Sequence, residues 1–207
     1  PTGMKPDQGY AETGAWEPTP EAATEVTGDA TYTYTFGTKQ KFDITINYKD
    51  GANPEAEPLK EAYTDTQEYG YPYSFDVSND STGTIPKIIE KDGKQYVFDR
   101  FADNTPLSGQ LKSAVTITAE YLLDETGPDG EPDGVPDKYQ ATVTYKIVNG
   151  TWDGDKDTAD KTHLFTLREF DADSNTWVNV ETTPTLGETV PTGMKPDQGY
   201  AETGAWE

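Results

Sequence analysis

The chemistry most visible in this sequence is a set of carboxylates at alternate positions in a glycine-turned loop. Asp129, Glu131, Asp133 and Asp137 stand as D-x-E-x-D-G-x-x-D, with Gly134 at the turn. Calcium takes about six or more hard oxygen ligands at flexible distances, and alternate acidic residues in a tight loop aim their carboxylates at a common centre. The spacing matches the first half of an Asp-rich calcium loop, with its glycine at the sixth position. The twelfth position holds Gln140 where a bidentate Glu belongs, and Pro132 and Pro136 stiffen the loop, so a full EF-hand is excluded. Two readings stand. One is a looser calcium-binding linker, with Asp124 or Glu125 and backbone carbonyls completing the shell. The other is a solvated acidic hinge whose charges keep neighbouring domains apart.

A second acidic run, Asp153, Asp155, Asp157 and Asp160, has Lys156 at the centre of any ligand cage and reads as a surface loop. His163 is the only histidine and there is no cysteine, so zinc sites, disulfides, thiol catalysis and a histidine-centred triad all lack their parts. A partly buried strand position is expected for it. Carboxylate pairs are too abundant in so acidic a chain for any two to be singled out as a glycosidase dyad. Aromatic rings are the remaining candidates, because they stack on the apolar faces of sugars. Tyr69, Tyr71, Tyr73 and Phe75 line one face of an extended segment, with Pro72 pointing to an edge position. These rings read either as a sugar platform, with Tyr71 as its ligand contact, or as the core of a first domain. Trp152 and Trp177, flanked by Asp and Asn, are expected to be exposed and are the other ring candidates for ligand contact. Asn79 and Asn149 open N-x-[ST] sequons, which mean little if the source is bacterial.

What positions these residues is a repeated β chain. Pro1 to Glu17 (PTGMKPDQGYAETGAWE) returns unchanged as Pro191 to Glu207, which sets a period of 191 − 1 = 190 residues. Solenoids and propellers repeat every ~20 to 50 residues, so each period here is long enough for one or two whole domains. The chain looks like one full period plus the opening of the next, an internal fragment without signal peptide, membrane span or wall anchor. Its 207 residues carry 16 Lys and Arg against 38 Asp and Glu, a net charge of 16 − 38 = −22, which would repel nucleic-acid phosphates and anionic membranes. High charge with low hydropathy raises the question of disorder. The aromatic residues answer it by falling in strand alternation: Phe42, Ile44, Ile46 and Tyr48; Tyr32, Tyr34 and Phe36; Val115, Ile117, Ala119 and Tyr121; Ala141, Val143, Tyr145 and Ile147. These predict half-buried antiparallel strands. Helix signals are poor, and only short windows such as Glu55 to Tyr63 offer a few turns.

The stretch Asp124 to Asp137 (DETGPDGEPDGVPD) holds almost nothing apolar and marks a junction, and a second junction falls near Gly37 to Gln40. The organisation predicted is 1–37 as the back of a preceding domain, 38–123 as a complete domain, 124–137 as an acidic linker, and 138–207 as the front of the next domain. On this reading Thr31 to Phe36 is an orphan strand and the 138–207 domain lacks its closing strand. The two ends are therefore expected to complete each other, in cis or by strand exchange between copies.

The segment from Phe42 to Tyr121, opening FDITINYKDG, passing through EYGYPYSF and closing VTITAEY, resembles mucin-binding-type domains of Gram-positive adhesins. ATVTYKIVNGTW, followed by GETVPTGMKPDQGYAETGAWE and, at the front of the chain, VTGDATYTYTF, resembles the internalin-type B repeat. Its motif counterparts are Pro191, Pro196, Gly199, Tyr200 and Trp206, with Gly28 and Asp29 at the turn, and the resemblance implies a core position for the Trp after Gly-Tyr, Trp206 and its counterpart Trp16; Asp153 to Asp160 is an insertion relative to that pattern. Together the two cover most of a period that is similar to the two-domain repeat of lactobacillal mucus-binding proteins. The resemblances imply two small β-grasp-like domains per period, mainly β and arranged in an elongated way. They also imply a cell-wall-attached, extracellular adhesin acting as stalk and multivalent adhesion unit, with host glycans, mucin or an extracellular-matrix protein as partner. A glycan-binding module with its own carbohydrate site is the alternative, and an enzyme has no residue constellation behind it.

Overall fold

The protein is described by a computed structural model covering residues 2–78, 84–102, 106–152 and 157–206. Asp153, Asp155, Lys156 and Asn79 lie outside the described residues. Among those residues the chain is mainly β, with short 3-10 turns at Asp137–Tyr139 and Gly187–Thr189 and no α-helix.

At the front, β1 (Gly14–Glu17) and β2 (Thr33–Phe36) form an antiparallel pair with Trp16 opposite Tyr34. Their rings meet edge-on at 5.1 Å, and Tyr34 meets Phe36 at the same distance. The pairing continues toward the next strand: the Gly37 amide donates to the Thr13 carbonyl at 2.7 Å, and that of Gln40 to the Gly9 carbonyl at 2.8 Å. The strand expected to be an orphan is therefore paired within its own chain. Its partner is β1 and not any part of 138–190. Sequence reading missed this because GAWE is too short for alternation to stand out.

The residues that follow build one sheet. β3 (Lys41–Asp50) and β4 (Lys60–Glu68) are antiparallel neighbours; the short β5 (Pro72–Ser74), β6 (Val77–Ser78) and β7 (Ile85–Pro86) cross over; then come β8 (Ile88–Lys91), β9 (Lys94–Phe101), β10 (Ser108–Gln110) and β11 (Val115–Asp124). The sheet order is β4-β3-β11-β9-β8, with β5 paired to β10 and β6 to β7 outside it. β3 and β11 run parallel, from Val115 opposite Ile44 to Tyr121 opposite Asp50, and the other pairs of this sheet are antiparallel. The expectation of antiparallel strands thus fails at the centre, since alternation reports which face is buried and not which way the neighbour runs. Glu55 to Tyr63 does not turn into helix either. Pro54 and Pro58 interrupt it, and from Lys60 the chain joins the β3 ladder.

One face of this sheet carries the main core: Ile46, Tyr48, Ile117, Ala119, Tyr121 and Phe98, closed by Leu59, Ile85 and Ile89. Two tyrosines reach through it to the crossover backbone. Tyr121 donates to the Pro86 carbonyl at 2.8 Å and Tyr48 to that of Thr84. Fully burying a side chain of this size contributes about 1.5–3 kcal/mol.

Beyond the acidic stretch come β12 (Gln140–Tyr145), β13 (Gly150–Thr151), β14 (Lys161–Thr166), β15 (Arg168–Asp171), β16 (Thr176–Asn179) and β17 (Lys195–Pro196). They pair two by two, β12 with β14, β15 with β16 and β13 with β17. This half buries little of itself, Tyr145 and Trp152 being its own buried rings. Its other anchors, Tyr139 and Trp177, are buried against Val97 and Leu122, on the face of the five-stranded sheet opposite the main core.

Candidate functional site

The acidic stretch is organised around a residue at its edge. Asp124 ends β11 opposite Gln95 and is fully buried. Its Oδ2 accepts hydrogen bonds from the Gln95 side-chain amide and the Gly134 amide, both at 2.8 Å, and its Oδ1 accepts one from the Asp133 amide at 3.4 Å. Burial pushes this carboxyl above the usual carboxylate range, against the pull of those three donors. Asp137 closes the loop from the far side, its Oδ1 accepting the amides of Glu125 at 3.2 Å and Thr126 at 3.0 Å. Asp133 accepts the Val135 amide at 3.0 Å and the Gln140 side chain at 2.8 Å. Only glycine fits at position 127, where a Cβ would lie 2.2 Å from the Glu131 carbonyl oxygen.

Of the four residues expected to ligate calcium, Asp133 and Asp137 thus hold protein donors, while Asp129 and Glu131 are exposed. Among the described residues no three His, Asp or Glu side chains converge as a metal site requires. An ion in this loop would compete with the hydrogen bonds that Asp133 and Asp137 accept from the protein.

The joint behind the loop is aromatic. A bulge in β9 leaves Asp99 out of register between Phe98 and Arg100. Tyr139 donates to Asp99 Oδ1 at 2.5 Å, and the neighbouring Phe98 carbonyl accepts the Trp177 indole N–H at 2.8 Å. Trp177 stacks on Tyr139 at 5.3 Å and on Phe170 at 5.5 Å, and Phe170 meets Phe98 edge-on at 6.1 Å. Cations cap the stack: Lys87 lies 5.0 Å from the Phe170 ring and Arg168 5.0 Å from the Tyr139 ring. Burial, then the hydrogen bond to Asp99, pushes the Tyr139 hydroxyl up to about 12, with Arg168 and Arg100 acting in the opposite sense. At the edge of the same face, Arg100 pairs with the buried Glu120 at 2.8 Å.

Both tryptophans expected to be exposed are therefore interior. Trp177 is 8 % exposed, and Trp152 is 1 % exposed with its indole donating to the Ala159 carbonyl at 2.7 Å. Polar flanking residues were a poor guide, because Thr176 and Val178 are the immediate strand neighbours of Trp177 and take the other face. Tyr71 is exposed, near the equally exposed Tyr63, whose hydroxyl is pushed up by burial first and then by Asp65 and Tyr71. Phe75 packs on the main core, so the Tyr-rich segment divides between core and surface. His163 is exposed rather than partly buried, its ring edge-on to Phe165 at 4.6 Å. Trp206, expected in a core, is 54 % exposed beside Tyr145, whereas Trp16 is half-buried. An open hollow of about 320 Å³ lies between Tyr145, His163 and Thr189. Set beside protein-family models, characterised proteins and solved structures, the chain matches none.

Proposed function

We propose that this chain is a repeat module of an extracellular, cell-wall-attached adhesin, serving as stalk and multivalent adhesion unit. The observation that carries the reading is the unchanged return of a 17-residue segment after 190 residues, Pro1 to Glu17 and Pro191 to Glu207. Repetition lengthens a fibre and multiplies weak contacts without any module needing a strong site. The aromatic joint supports the same role, because a stalk gains reach when successive modules are fixed to each other. The high negative charge keeps such modules solvated and apart. The β-grasp reading of each module and its kinship with mucin-binding and B-repeat domains belong to this proposal. The central parallel pair β3 and β11 supports the β-grasp reading, although among the described residues no helix crosses the sheet.

Glycan or mucin binding is the second reading, and the exposed pair Tyr71 and Tyr63 favours it. Two linked periods, tested for retention on immobilised mucin and on a glycan array, separate the readings. Binding that Tyr71→Ala and Tyr63→Ala weaken supports a carbohydrate surface there. A rod-like scattering profile with no retention supports a spacer, and a compact profile with no retention removes both.

A further inference from the structure

The 17-residue segment occurs in two settings, and its two copies use different halves of themselves. In the C-terminal copy, Lys195 and Pro196 pair with Gly150 and Thr151, and the Asp197 amide donates to the Asn149 carbonyl at 2.9 Å. The matching Lys5 and Pro6 lie in no strand. In the N-terminal copy it is the later residues that are held. Tyr10 bridges to Lys39, Gly9 and Thr13 accept amides from Gln40 and Gly37, and Gly14–Glu17 pairs with Thr33–Phe36.

Gly9 also packs so closely on Tyr69 that a Cβ there would lie 2.3 Å from the ring, while the matching Gly199 has nothing within 4 Å. The exposed faces follow the same division. Tyr200 is 57 % exposed against 36 % for Tyr10, and Trp206 is exposed where Trp16 is half-buried.

The turn between the halves is the same in both. The amide of Tyr10 donates to Asp7, and that of Tyr200 to Asp197, each at 3.1 Å, with positive φ at Gly9 (86°) and Gly199 (95°). A turn formed alike in two surroundings is dictated locally, by glycine at the third position. The two sets of backbone contacts share no donor or acceptor, so one copy can make both; the ring that must move is Trp206, from its edge-on place 5.8 Å from Tyr145 to the incoming strand, as Trp16 meets Tyr34 at the front.

We propose that each copy is a two-sided clip: its first half holds the strand Gly150–Thr151 of the module before it, and its second half holds the strand that leads into the module after it. The occupant of the exposed 199–206 face is a second copy of residues 18–40, following in tandem and supplying its own Thr33–Gln40. Tandem supply fits better than exchange between molecules, because the front strand Thr33–Phe36 is already paired in cis and would have to be displaced. The 18–32 connector already spans this distance at the front. The inference concerns the junction alone and uses no ligand, so it stands or falls separately from the adhesin reading.

The test is the full chain extended at its C-terminus by a second copy of residues 18–41, followed by amide hydrogen exchange. Residues 204–206 and the added 33–36 strand are expected to exchange about tenfold more slowly, or better, than residues 204–206 do in the original chain. Residues 150–151 and 195–197 are expected to keep their original rates, and the extended chain to stay monomeric. Trp206→Ser in the extended chain is expected to return residues 204–206 to the original rate. Unchanged exchange at 204–206 overturns the proposal. So does slowing there accompanied by loss of protection at 150–151, which would make the two sides mutually exclusive, and so does slowing only in a dimer, which would make the occupant another molecule.

Discussion

Tyr139 is the residue on which the joint's response to alkali turns. Its hydroxyl is raised from 10.0 to about 12, so the folded state favours the neutral form. The stability this contributes is full below pH 10 and is lost as pH rises from about 10 to about 12, where the unfolded chain ionises first. Tyr48, also raised to about 12, acts in the same direction within the main core. Tyr139→Phe is expected to flatten part of the alkaline fall in urea-unfolding free energy. It is also expected to cost about 1–3 kcal/mol at neutral pH, because the buried Asp99 loses its donor. Trp177→Ala is expected to cost more, about 3–5 kcal/mol for a buried ring. Loss of the indole donor to Phe98 adds to that, and calorimetry against the parent chain measures it. The sequence shows the Trp177 ring but not its burial, and it does not single out Asp99. Trp177 sits in NTWVN, where nothing apolar repeats at a spacing of two to mark its side as buried, and Asp99 owes its position to a bulge whose register only the folded sheet defines.

Strands were the most legible elements. The alternating runs at Phe42 to Tyr48 and Val115 to Tyr121 lie within strands, because one-sided burial leaves a period of two in the chain. Those at Tyr32 to Phe36 and Ala141 to Ile147 overrun β2 and β12 by Tyr32 and Ile147. Direction and partner left no such mark, since they depend on chain far away. The Asp124 to Asp137 loop shows the same limit. Its acidic spacing is visible, but whether carboxylates face a metal or backbone amides depends on where the ends of the loop are held. Asp124→Ala is expected to cost about 3 kcal/mol, since three donors lose their acceptor and two of them come from the loop itself. With its own amides satisfied, the loop is expected to show no rise in melting temperature between metal-free buffer and millimolar calcium. A clear rise would mean that the ion displaces those hydrogen bonds.

At the scale of the whole molecule, charge acts against compactness. With 38 acidic and 16 basic side chains, self-repulsion is strong at low ionic strength and screened at high. Raising sodium chloride from about 0.01 M to about 0.5 M is therefore expected to raise the melting temperature by a few degrees, a direction set by the net charge. A fall would show that individual ion pairs such as Arg100 with Glu120 outweigh the repulsion. The placement of β3 and β11 has a further consequence. They open and close the same sheet and lie side by side in parallel, so the chain enters at one end of the pair and leaves at the other. Tension applied through the chain loads their ladder along its length, in shear, and its hydrogen bonds must yield together rather than one after another. A sheet wired in this way resists being pulled apart most strongly along the line that joins its two ends.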